Sequence, residues 1–147
     1  MRALAVLLLL AAPAAAQDRC LLACDVVTTG KEASARLVAA LGVDLPPGAR
    51  VAGLVEGGFQ DAFIQARIEV EREAMEATLK ALGIDWSAVD PGPDADMGPP
   101  GPPWWEEARR EELWYGPAAP PGFAFATAGV TIGDDKGALL LLWAFQT

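Results

Sequence analysis

The chain has no histidine and no asparagine, and only two serines and two cysteines in 147 residues. Without histidine it loses the commonest general base and the commonest metal ligand. Ser34 and Ser87 therefore have no imidazole to activate them, and neither sits in a Gly-x-Ser-x-Gly turn. No Gly-x-Gly-x-x-Gly follows a strand. The stretch Thr28-Thr29-Gly30-Lys31-Glu32 resembles the end of a phosphate loop but lacks both the first glycine and the hydroxyl after lysine. Two cysteines alone are a poor zinc site. Cations are scarce as well: 11 Lys and Arg face 20 Asp and Glu, a net charge of −9. Phosphate backbones and anionic lipid repel such a chain, so nucleic acid and peripheral membrane surfaces are disfavoured partners. No cofactor is expected.

Long apolar runs are confined to the start. In MRALAVLLLLAAPAAAQ, Arg2 supplies a positive end, residues 3–12 are apolar, and Ala14-Ala15-Ala16 follow Pro13. This is the pattern of a secretory signal peptide over 1–16, too short to span a bilayer. Cleavage after Ala16 leaves a mature chain from Gln17 and takes the net charge from −9 to −10 with the loss of Arg2. Segment 17–29 then carries Cys20 and Cys24. In an oxidising compartment a disulfide between them is the default. The alternative is lipidation of Cys24, because Leu21-Leu22-Ala23-Cys24 has the form of a lipobox, although Gln17-Asp18-Arg19 separates it from the apolar run.

Residues 30–147 read as one α+β domain with a Pro/Gly-rich insertion over 87–121. The apolar stripe Ala33, Leu37, Ala40, Leu41 predicts a helix over 30–41, with Thr29-x-x-Glu32 as a capping box and Gly42 as its stop. Residues 50–56 and 60–70 form a predicted hairpin around Gly57-Gly58. In the second strand Ala62, Ile64, Ala66, Ile68 and Val70 alternate with Phe63, Gln65, Arg67 and Glu69, a pattern for one packed face and one wet face. A second helix is predicted over 71–82, ended by Gly83. Strands follow at 123–132 and 138–146. The last, ALLLLWAFQ, is apolar on both sides, as a central strand covered on both faces would be. Glu32-Ala33 and Ala40-Leu41-Gly42-Val43-Asp44 recur 41 residues later as Glu73-Ala74 and Ala81-Leu82-Gly83-Ile84-Asp85, which suggests an α-β-β duplication. The expected architecture is a four-stranded, mainly antiparallel sheet with helices on one face.

Two stretches are candidates for binding. Residues 103–115 follow a proline at the first helical position and precede Gly116, so a helix is predicted there, with Trp104, Trp105 and Tyr115 on one side and Glu106 and Glu107 within reach of Arg110. Leu113 and Trp114 lie off the stripe. The aromatics Trp104, Trp105, Trp114 and Tyr115 are either a lid docked on the core or a surface that takes a ligand or partner. The second stretch is Phe59-Gln60-Asp61 at the hairpin mouth, either a recognition spot or a turn whose aspartate bonds its own backbone. Asp90, Asp94 and Asp96 offer oxygens, but their spacing is not that of a calcium loop, so no metal is expected.

The run "GGFQDAFIQARIEV", followed by a helix and then Trp-Trp, resembles small bacterial envelope proteins of unknown function, several of them lipoprotein-like. The resemblance implies an envelope location and a small α+β domain, and carries no catalytic residue. The expectation is thus a non-catalytic secreted or periplasmic domain that binds an envelope protein or small ligand. A tethered lipoprotein is the alternative, and a carboxylate-based enzyme comes last.

Overall fold

The computed structural model describes residues 25–58, 61–88, 97–131 and 137–146. Six strands form one antiparallel sheet: β1 (Val26–Thr29), β2 (Ala49–Gly57), β3 (Phe63–Val70), β4 (Trp114–Pro117), β5 (Phe125–Val130) and β6 (Ala138–Phe145). Their order is β1-β2-β3-β6-β5-β4, two three-stranded meanders joined by the β3–β6 pair. The sheet is therefore two strands wider than the pattern predicted. The extra pair, β1 and β4, are four-residue edge strands that show no alternation long enough to read.

Helix α1 (Gly30–Leu41) has the bounds its stripe predicted and buries Ala33, Leu37 and Leu41. Gly42 takes φ 64° and donates its N–H to the Val38 carbonyl at 2.9 Å, closing the last turn in a conformation only glycine adopts cheaply. The predicted capping box is not made: the Thr29 side chain forms no cap hydrogen bond, because Thr29 is still paired with Gly53 in the sheet. Helix α2 (Met75–Ala81) follows a 3₁₀ turn at Arg72–Ala74.

Register assigns each side chain to a face. Ile64, Ala66, Ile68 and Val70 of β3 lie beside Leu140, Leu142 and Ala144 of β6, and beyond them Ala126, Ala128 and Val130 of β5. This first face carries the main core, with α1, Leu79 of α2 and Leu82 just after that helix above it. Leu141 points the other way into a second, smaller core with Met97, Trp105, Ala108 and Leu113. Strand β6 is thus apolar on both sides because both sides are covered, the central position its composition predicted.

The second face corrects the sequence reading in a further respect. Helix α3 (Pro103–Ala108) and the loop before it cover that face, so helices lie on both faces rather than one. Gln65, predicted to be wet, is only 1% exposed.

Candidate functional site

The tryptophan stretch does not form the long helix predicted for 103–115. Pro103 starts α3, and Trp105 and Glu106 donate their N–H groups to the Pro102 carbonyl. The helix ends at Ala108. The N–H groups of Arg110 and Glu111 then bond carbonyls only three residues back, so the last turn tightens before it breaks. Trp114–Pro117 pairs with the outer edge of β5 instead. Aromatic residues suit a strand, and the open β5 edge offers backbone partners that one more helical turn could not match.

This change of element splits the aromatics. Tyr115 faces Gly129 on the second face, whereas Trp114 sits opposite Val130 on the first. Trp104, Trp105 and Tyr115 share the second core with Met97, Leu141 and Trp143, and Trp114 does not join them. The 3₁₀ turn Trp86–Ala88 lies beside β4. There Ser87 donates both its hydroxyl (2.6 Å) and its N–H (2.9 Å) to the Asp85 carboxylate. These bonds, the hydroxyl first, hold Asp85 below the usual carboxylate pKa range.

Trp105 is 0% exposed and meets Trp104 edge-on, their centroids 6.2 Å apart. Trp104 lies on Gly53 of β2, where an added Cβ would come within 2.7 Å of its ring. Gly98, at φ 79°, lies over Trp143 in the same way: an added Cβ would come within 2.5 Å of the indole nitrogen. Glycine is needed there both for the backbone and for the close approach. The lid is fastened by polar bonds as well. A Pro/Gly loop has few N–H donors but many carbonyls, and the sheet supplies the missing donors. Gln65 Nε2 donates to the Pro99 carbonyl at 2.6 Å, and Arg67 Nη1 to the Trp104 carbonyl at 3.4 Å. Glu106 accepts the Gly101 N–H at 2.9 Å and pairs with Arg109 at 3.6 Å, not with Arg110 as the spacing suggested. The polar alternation of β3, read from sequence as a wet face, is the lid's anchorage.

Among the described residues, the lid leaves two parts of the second face open. At one end the register sets Phe63, Phe145 and Phe125 in a row across three strands. Phe125 stacks edge-on against Trp143 at 5.3 Å and remains 49% exposed. At the same strand end, two strands beyond Phe63, β1 is the sheet edge among the described residues, with Val26 41% exposed on the first face and Val27 52% exposed on the second. Asp61 is exposed next to the same end. Phe59, Gln60, Cys20 and Cys24 lie outside the described residues, as do Asp90, Asp94 and Asp96. At the opposite end an open groove of about 540 Å³ is lined by Gly48, Arg50, Arg67, Glu69, Glu71 and Leu139. Arg50 and Glu69, cross-strand neighbours, form an ion pair in it. Neither the phenylalanine row nor the groove was legible beforehand, since each joins residues from separate strands through the register.

No protein-family model, curated protein or solved structure matches this chain.

Proposed function

We propose that this chain is a non-catalytic secreted or periplasmic binding domain of the cell envelope. It meets a partner with the β1 edge and with the open aromatic end of the second face, which lies across the sheet from that edge. The observation that carries this reading is the exposure of Val26 on the first face and Val27 on the second face of edge strand β1, with exposed Phe125 at the same strand end of the second face but four strands across, on β5. A charged or proline-bearing edge resists pairing with other chains, but β1 reads Val-Val-Thr-Thr and has neither device, whereas β4 at the far edge ends in Pro117. Two exposed valines on such an edge fit strand addition by an extended segment of an envelope protein, whose remaining surface would reach Phe125 across the sheet. The signal-peptide pattern and the resemblance to envelope proteins support the location. The placement of α1 and α2 on one face of two meanders supports a duplicated framework.

A photo-crosslinking phenylalanine analogue at position 125 tests the reading in the native host, with the same analogue at exposed Ala77 of α2 as control. A discrete adduct at 125 and none at 77 is expected, and it should vanish with Val27→Lys. Equal labelling at both positions would refute a partner surface at this end.

The tethered form is the second reading. Cys24 closes the lipobox pattern, and β1 begins two residues later at Val26. A lipid on Cys24 would hold the β1 edge within reach of the membrane surface.

A further inference from the structure

Arg67 sits midway along β3 on the second face, between Gly53 of β2 and Leu141 of β6. It is half-buried. Its Nη1 reaches the Trp104 carbonyl only at 3.4 Å, and its Nε is sealed from solvent with no acceptor. Among the described residues no carboxylate pairs with it, although acids outnumber bases 20 to 11 in the chain. The carboxylate two positions on, Glu69, shares its face but is taken by Arg50. A guanidinium drawn partly out of water is stabilised by an anion that fits its planar fork, and the described residues supply none.

Arg67 also lines the groove of about 540 Å³, a volume within the range of small-molecule sites. We infer that this groove binds a small monocarboxylate, with the carboxylate on Arg67 and an uncharged body along Ala138 and Leu139. Leu139 is half-buried and supplies an apolar wall continuous with the second core. Glu69 and Glu71 border the groove and repel a second negative charge, which favours a carboxylate over phosphate. A free carboxylic acid and the C-terminus of a peptide share this chemistry. The site stands on observations separate from the aromatic end.

The test is a titration of ¹⁵N-labelled residues 17–147 at constant pH and ionic strength, followed by NMR. The probes are hexanoate, hexanamide, inorganic phosphate, and an acetylated apolar tripeptide with a free or an amidated C-terminus. One or both acids should shift the Arg67 Nε–H and the Arg50 and Leu139 amides saturably, and the tighter of the two identifies the source. Each amide should bind at least tenfold more weakly than its acid, and Arg67→Lys should weaken the acid by about tenfold, because it keeps the charge but loses the fork. Arg67 also holds the Trp104 carbonyl, so the acid–amide comparison in the unaltered protein decides the matter without a substitution. Equal binding of acid and amide, phosphate binding as tight as either acid, or no saturable shift would each overturn the inference.

Discussion

Replacing Trp105 by alanine asks whether the tryptophan helix is interior or surface. The side chain is 0% exposed and is enclosed by Met97, Leu141, Ala108 and the edge of Trp104. Its loss removes the transfer free energy of a large ring and leaves a cavity that the short lid fills only in part, a cost of about 3–5 kcal/mol. For a domain of this size that is a fall in Tm on the order of 10–20 °C. Two companions sharpen the test. Trp104 is only half-buried, so Trp104→Ala should cost roughly half as much. The Trp105 indole N–H is buried without an acceptor, so Trp105→Phe keeps most of the ring and sheds an unsatisfied donor, for a net loss of about 1–2 kcal/mol. Urea unfolding followed by far-UV circular dichroism gives all three values. A fall in the m-value for Trp105→Ala would show in addition that the lid has left the sheet in the native state. A Trp105→Ala loss below about 1 kcal/mol, a surface-like value, would refute the closed lid.

Gln65→Leu strips the Pro99 carbonyl of its donor, so it should cost about 1–2 kcal/mol and speed proteolysis within 97–117, read by limited digestion and mass spectrometry. Ser87→Ala removes the larger of the two causes that lower the Asp85 pKa, so the Asp85 titration seen by carbon NMR should move up towards the ordinary carboxylate value. The sign follows from linkage: a lowered folded-state pKa contributes stability above the ordinary value and loses it as pH falls through the folded value, so the variant should show a weaker pH dependence below that range. Intact mass of the exported chain should begin at Gln17 and be two hydrogens light, or begin at an acylated Cys24 in the membrane fraction. A soluble chain still starting at Met1 would refute both locations.

What the sequence determined by itself was local and periodic. The stripe and the glycine stop set α1 at residues 30–41, alternation set β3, and the unbroken apolar run marked β6 as central. Each of these signals lies within one segment and reports burial that the segment cannot avoid. The tertiary structure decided the rest. Trp114–Pro117 became a strand because the β5 edge lay within reach, and Trp114 thereby left the face that holds Trp104 and Trp105. Gln65 and Arg67 look like solvent residues in a list of amino acids, yet they are donors to carbonyls of the lid, one in its loop and one in α3, more than 30 residues away. A polar side chain carries no local mark of whether water or a distant backbone will satisfy it, and only the packed molecule supplies the partner.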